Sequence, residues 1–452
     1  MTGDTGILSF GAYIPRRRLE RAAIYAANAW YAPGLKSHSK GERAIGDWDE
    51  DSITMAVEAA RDTLVGIDRE RVQSVILAST TLPFKDRLNS GILKEALTLP
   101  DAVGAIDVTG SQRAATSALI LALRAATVGP QLCLGSEMRK ARPASEAELQ
   151  YGDAAAGLLV GSGELIARFL GAYSVTVDFV DHYRSAEMAV DYTWESRWIR
   201  DEGYFGVVGS ALKEGLAKLG ISPEAIDRAI IPVAARGVPE ALAKRGGLRA
   251  EAVADTLIAG VGDSGVAHPF LMLVAALERA QVGEKILLLA FGQGVDLLLF
   301  EATGHLAKLP PRRGVQGSLV RSVKDNNYIR WLFHRGLLEL DRGMRAEMDR
   351  KQPGTTLWRH RKAVLGLVGG RCTKTGTVQF PRSDISVDPN EHAAHTQEDY
   401  CLAERKAWVV SYTADELTYS PNPPAVYGMI DFEGGGRITV EFGDVAAGDV
   451  AV

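Results

Sequence analysis

Histidines and carboxylates spaced for proton transfer occur twice in this chain. His268 follows Asp263 by five residues and opens the apolar run HPFLMLVAALERA. A histidine there suits general acid–base work near neutral pH, and Asp263 would orient it or stabilise its charged form. The second place is the stretch VDFVDHYRSAEMAVDYTWESRWIRDEGY, which crowds Asp181, His182, Tyr183, Arg184, Trp194 and Trp198 into one segment ending at Tyr204. A core needs no such density of polar and aromatic groups, so the segment reads as a pocket wall. His182 is its acid–base candidate, and Tyr183, Trp194 and Trp198 are its contacts to a substrate. Ser111 stands just before another apolar run, AATSALILALRAA. A serine there is a nucleophile only with an adjacent base; Arg113, two residues on, is a further substrate contact.

The elements that must position these residues alternate through residues 1–305. DSITMAVEAARDTL has helical spacing with Asp51 as a cap, SVILAST is a short buried strand, and residues 114–126 form a helix apolar on all sides and so buried all round. QLCLGSE and AAGLLVGSG are further strands. The pattern then recurs: AIIPVAA stands where SVILAST stood, PFLMLVAALERA where the first buried helix stood, and KILLLAFGQG with DLLLFEATG closes the unit. The expected architecture is α/β, with one half over 1–170 and another over 171–305. Under that duplication His268 mirrors Gln112, so both would face one pocket. A basic linker (306–360) and an all-β tail (361–452) follow, the tail alternating short strands with Gly, Pro, Asn and Asp turns as small antiparallel barrels do.

Bulk properties narrow the function. The 452 residues carry a net charge of -5 and 46% hydrophobic residues, an ordinary globular composition without the basic face that nucleic-acid binding requires. No apolar run reaches the length of a membrane span, and no secretory leader is visible. Three cysteines, Cys133, Cys372 and Cys401, make no disulfide framework and fit a reducing cytoplasm. Phosphate-loop and dinucleotide fingerprints are absent.

The motifs GAYIPRRRLE, WDEDSITMAVEAARDTL, DVTGSQRAATSAL, YGDAAAGLLVG and GVGDSGVAHPFLMLVAALE, in that order, resemble the 3-hydroxy-3-methylglutaryl-CoA synthase branch of the thiolase superfamily. The resemblance implies a duplicated five-layer α-β-α-β-α fold, coenzyme A thioesters as substrates and a homodimer. It also implies a cysteine nucleophile at the start of the first buried helix, and that slot holds Gln112. In related ketosynthases a glutamine there mimics the acylated enzyme, which points away from covalent transfer. The family's acid–base glutamate falls within Thr80–Pro83, its HQPN histidine at Ala234–Arg236, and the Asn of its GN motif is Asp263. Tyr151 and Asp153 precede a strand that packs near the family's active site, and Asp153 is read as structural.

The tail resembles an OB-fold domain carrying a zinc ribbon, one strand short of a full barrel at Val452. The first ligand pair of such a ribbon reads Cys372-Thr-Lys-Thr375, and the second region has no cysteine. Cys372, His392, His395 and Cys401 match no ribbon spacing, so no metal and no permanently bound cofactor are expected. Arg and Lys residues in 306–365 would meet the coenzyme A phosphates. The expected function is an acyl-CoA enzyme that makes or breaks a carbon–carbon bond, by aldol or retro-aldol chemistry or by decarboxylation, without a cysteine nucleophile. Two alternatives stand beside it: a non-catalytic acyl-CoA-binding partner of another thiolase-like subunit, and an acyltransferase using Ser111.

Overall fold

The computed structural model describes residues 4–341 and 353–443. They form two compact units. The first comprises Met1–Gly46, Glu50–Leu93 and Pro100–Trp331; the second comprises Asp47–Asp49, Lys94–Leu99 and Leu332–Val452.

The first unit is built on nine strands: β1 (Thr5–Tyr13), β2 (Ser74–Ala78), β3 (Gly104–Val108), β4 (Gln131–Glu137), β5 (Ala154–Ser162), β6 (Ala167–Thr176), β7 (Arg228–Ile230), β8 (Lys285–Phe291) and β9 (Gly294–Ala302). Their order is β7-β8-β9-β6-β1-β5-β4-β2-β3. Read outward from the centre, β1-β5-β4-β2-β3 and β6-β9-β8-β7 repeat one pattern. Each set has two antiparallel pairings followed by a parallel one. The second set lacks a counterpart of β3, but a single parallel bridge between Ala229 and Val253 marks its place.

Four helices cover these strands: α1 (Ser52–Thr63), α2 (Ala114–Ala125), α3 (Gly209–Leu219) and α4 (His268–Leu277). Asp51 caps α1, its carboxylate accepting from the backbone N–H groups of Ile53 and Thr54 at 2.8 Å while Thr54 returns a contact to the Asp51 N–H. This reciprocal arrangement satisfies otherwise orphaned helix-start donors. Helices α2 and α4 turn most of their residues into one core shared with both strand sets, including Leu119, Leu123, Phe270, Leu273, Ile76, Ile230 and Leu288, while α2 leaves Leu121 exposed. On the opposite face of β8 and β9, Leu287, Leu289, Leu297 and Leu299 pack with α3. Strands buried on both faces read as continuous apolar runs, which is why KILLLAF and DLLLF show no alternation.

The region expected as a linker is structured through its first half. Gly314–Val320 and Tyr328–His334 are helical, and Val323–Lys324 pairs in parallel with the strand Arg17–Glu20. Two of its arginines bind within the first unit. The Arg312 guanidinium donates to the Phe10 carbonyl at 2.6 Å, and Arg313 pairs with Glu58 at 3.2 Å.

In the second unit the described strands make two separate three-stranded antiparallel sheets, one from Val368–Cys372, Val378–Gln379 and Gln397–Cys401, the other from Ala407–Asp415, Ala425–Phe432 and Arg437–Glu441. Val378, Leu402 and Phe432 form their small core. The strands are antiparallel as expected, but among the described residues they do not close into one barrel; any final barrel strand falls outside those residues. No group of three or more His, Cys, Asp or Glu stands close enough to hold a metal among the described residues. Thr375 stands three residues after Cys372. With Thr396 it hydrogen-bonds the Cys372 sulfur and lowers the thiol's pKa to about 6.

Candidate active site

The carboxyl ends of parallel strands are where open α/β sheets place ligands. Here both strand sets converge there. From the first set the chain leaves β2 through Ser79–Thr81, β3 through Thr109–Gln112 and β4 through Glu137–Arg139. The second set contributes 232–235 after β7, 291–293 at the end of β8, and 263–265 before α4. Two cavities open among these segments, one of about 970 Å³ and one of about 590 Å³. Gln112, Asp181, His182, Met188 and Asp191 line both.

Gln112 stands at the start of α2. Its Oε1 is buried and has no hydrogen-bond partner among the described residues. Close packing fixes it there. A Cβ on Gly265, whose φ is +52°, would lie 2.7 Å from that oxygen, and a Cβ on Gly292 would lie 2.8 Å from the Arg113 nitrogen. Both positions therefore require glycine. The backbone N–H groups of Gln112 and Gln293 make no hydrogen bond among the described residues, and both residues line the larger cavity.

His182 sits in a two-residue strand, His182–Tyr183, paired with Tyr192–Thr193. Its Nδ1 is 2.9 Å from the Asp181 carboxylate, and its Nε2 has no protein partner among the described residues. Burial disfavours the imidazolium, but Asp181 outweighs burial and raises the pKa.

A chain of charges braces this wall. Arg184 pairs with Asp191 at 2.6 Å and donates to the Thr80 carbonyl. Asp191 accepts from the Tyr151 hydroxyl at 3.0 Å. Arg139 lies 3.7 Å over the Tyr151 ring and pairs with Asp263 at 2.8 Å. Burial opposes ionisation of Asp263, but the adjacent Arg139 prevails and holds the carboxyl at about 2. Glu137, fully buried, accepts hydrogen bonds from Thr80 and Thr81; burial holds its carboxyl above the usual carboxylate range.

The sequence candidates separate accordingly. Gln112, Ser111, His182 and Tyr183 line the larger cavity, and Trp194 and Asp263 the smaller. His268 lines neither. Its Nε2 lies 2.9 Å from the Thr256 carbonyl, its Nδ1 accepts from Ser264, and burial lowers its pKa. Its ring is thus a neutral brace for the loop before α4. Asp263 pairs with Arg139 and does not orient that ring. The Ser111 hydroxyl donates to the Gly292 carbonyl at 2.8 Å and meets no base. The Arg113 guanidinium is consumed by Asp296, Gly292 and Thr176, away from both cavities. Trp198 stacks on Phe179 at 5.8 Å and also lines neither. Among the described residues, none of 306–365 and no cysteine lines either cavity.

Glu137, Arg139 and Tyr204 were not singled out from the sequence. Two signals were available: a glutamate ending the apolar strand QLCLGSE, and a ten-residue π-helix, Ile199–Val208, in a Gly-containing segment. Such wide helical turns recur at functional sites, and this one places Ile199 and Tyr204 in the smaller cavity.

Comparison with known proteins agrees with this geometry. The family model for the C-terminal region of 3-oxoacyl-[acyl-carrier-protein] synthase III matches residues 216–298. The hydroxymethylglutaryl-CoA synthase of Methanosarcina mazei is 29% identical over 350 residues, covering 74% of this chain and 99% of the relative. That of Pyrococcus horikoshii is 28% identical over 299 residues, covering 64% and 84%. Among solved structures, a hydroxymethylglutaryl-CoA synthase complexed with CoA superposes with a TM-score of 0.63 at 17% identity, covering 78% of this chain and 95% of the other. The Pseudomonas aeruginosa 3-oxoacyl-(acyl carrier protein) synthase III gives 0.60 at 19% identity, covering 66% and 98%. The chain has a thiolase-like α/β fold. Hydroxymethylglutaryl-CoA synthases are among its homologues.

The Asp263–Arg139 pair makes an acid-sensitive contribution to stability. A carboxyl whose pKa falls on folding stabilises fully above its ordinary 3.8 and loses that stabilisation as pH drops toward about 2. The difference in thermal midpoint between the wild type and Asp263→Asn should be full at about pH 6 and fall to roughly half near pH 3. An equal difference at both pH values contradicts the pairing.

Proposed function

We propose that this protein is an acyl-CoA enzyme that makes or breaks a carbon–carbon bond while the thioester stays unlinked to the polypeptide. The observation that carries this reading is the buried, unpartnered amide oxygen of Gln112 at the meeting point of two cavities. An amide side chain is no nucleophile. The neighbouring Ser111 hydroxyl is tied to a carbonyl, and Cys133, buried in β4, is pushed up to about 12 by desolvation, so it stays a thiol.

What remains suits enolate chemistry. The unpaired N–H groups of Gln112 and Gln293 can meet a thioester oxygen as negative charge grows on it, the kind of preorganised donor set that lowers such barriers most. His182, oriented by Asp181, carries the proton. Arg142, exposed and without an ion pair among the described residues, and Trp194 line the smaller cavity, where a guanidinium and an indole suit coenzyme A's phosphates and adenine. No cofactor enters this scheme, and among the described residues no helix is long and apolar enough to cross a membrane. The sparse cysteines agree with a cytoplasmic setting.

The same chemistry predicts its own readout. Acyl-CoA thioesters incubated with the protein in heavy water should exchange their α-hydrogens at least 100-fold faster than without it, while the intact mass of the chain stays unchanged. A stable acyl adduct, on Ser111 or elsewhere, overturns the proposal in favour of an acyltransferase. Binding without exchange leaves a non-catalytic partner subunit.

A homodimer completes the proposal. Strand β3 is the last in its sheet and exposes Ile106, while α2 exposes Leu121. An open edge with apolar side chains is a pairing template. The full chain should sediment as a dimer, and Ile106→Asp combined with Leu121→Asp should shift it to monomer; a monomeric wild type contradicts this.

A further inference from the structure

The strand ends remote from Gln112 border a further cavity, of about 220 Å³. Pro130 lines it just before β4 begins, whereas the far end of β4, at Glu137, leads into the active-site loops. It shares no lining residue with the two cavities described above. Leu8 of β1 and Leu159 of β5 line its sheet side; Ile67 and Val72, from the segment after α1, and Leu309, from the segment after β9, line the rest. Gly66, at φ +74°, lets those two segments meet, since a Cβ there would lie 2.7 Å from Pro310 Cγ.

Four polar side chains break this apolar lining: Arg71, Glu164, His305 and Lys308. Arg71, Lys308 and Glu164 are exposed, and none of them makes an ion pair among the described residues. His305 is half-buried, and its Nδ1 is buried without a hydrogen-bond partner. As an N–H that atom lacks an acceptor, and a buried donor left unpaired is costly. The end of α1 does not offset the positive charge, because its carbonyls are already engaged. Ala60 accepts from the Leu64 N–H at 2.9 Å and Thr63 from the Ser9 hydroxyl at 2.5 Å. Two unpaired cations and an orphaned ring nitrogen therefore stand against one carboxylate, around an apolar chamber.

We propose that this cavity is a second ligand site, separate from the active site, for a small amphipathic monocarboxylate. Its hydrocarbon part fills the chamber between Leu8, Leu159 and Ile67, and its carboxylate meets Arg71, Lys308 and the His305 Nδ1. Charge-assisted hydrogen bonds from a guanidinium are strong and directional. Size limits the ligand. At 220 Å³ the chamber falls below the ~300 Å³ at which pockets for larger molecules begin. An apolar cavity of ~150 Å³ takes up benzene, so this one suits a ring or chain of about eight carbons. A neutral hydrocarbon would leave both cations and the ring nitrogen unpaired, and an amine would face two like charges; these are the costs by which a site rejects the wrong ligand. No bond forms or breaks here, and the site does not depend on the chemistry at Gln112.

The test titrates the full chain calorimetrically with octanoate, octan-1-ol and octylamine, with and without coenzyme A. Octanoate should bind saturably and with the same affinity whether or not coenzyme A is present. The alcohol and the amine should bind roughly tenfold more weakly or worse, the factor that one hydrogen bond to a charged group supplies. Arg71→Ala combined with Lys308→Ala should weaken octanoate by a similar factor and leave octan-1-ol unchanged. Ile67→Trp, which fills the chamber, should abolish binding of both. Arg71 and Lys308 are exposed, so their double variant keeps the fold, and it decides alone should Ile67→Trp fail to fold. Octan-1-ol or octylamine binding as tightly as octanoate overturns the carboxylate assignment. Unchanged octanoate affinity in the double variant, or octanoate displaced by coenzyme A, overturns the location. No saturable binding in the millimolar range overturns the site itself.

Discussion

Two helices that are apolar over most of their surface must be hidden, and in this chain they are hidden together. Helices α2 and α4 share one core between two strand sets, so hydrophobic burial holds them side by side. That constraint places the start of α2, with Gln112, against the loop that leads into α4, with Asp263 and Gly265. The apolar interior thus decides where the polar residues meet, because carboxyl ends of parallel strands and helix starts are the places in such a core where backbone donors remain unpaired.

Charges gathered there need partners, since an uncompensated buried ion is costly. Arg139 answers Asp263 and lies on Tyr151, Tyr151 reaches Asp191, and Arg184 ties Asp191 to the carbonyl of Thr80. The network joins segments more than a hundred residues apart in sequence. It is satisfied largely within itself, and among the described residues the Gln112 amide oxygen and the His182 Nε2 are left without protein partners beside the cavities. The chemistry assigned to the site uses the His182 ring and the backbone N–H groups of Gln112 and Gln293.

Much of this was legible in the residues. The apolar stretches at 114–126 and 269–280 announced buried helices, Asp51 announced a helix start, and the glutamine in DVTGSQRAAT stands at the start of the first of those helices. Other features were hidden because they depend on side-chain direction or on neighbours that only folding supplies. His268 has the sequence position of a reactive group, yet its ring turns to Thr256 and Ser264. Arg113 follows Gln112 directly, yet Asp296, distant in sequence, draws it away. Glu137 acquires meaning only when parallel pairing of β2 with β4 sets it beside Thr80 and Thr81. In the tail, antiparallel strands were expected and found, but among the described residues they form two sheets, and Thr375 and Thr396 hydrogen-bond the Cys372 sulfur.

The central claim is that a thioester carbonyl is received at Gln112 and is held there without a bond to the protein. A crystal structure of the chain with an unreactive acyl-dethia-CoA tests it most directly. The carbonyl oxygen should lie about 3 Å from the backbone nitrogens of Gln112 and Gln293, a normal hydrogen-bond separation, with His182 on the side of the α-carbon. A carbonyl seated elsewhere, with Gln112 turned away from the acyl group, would contradict the account.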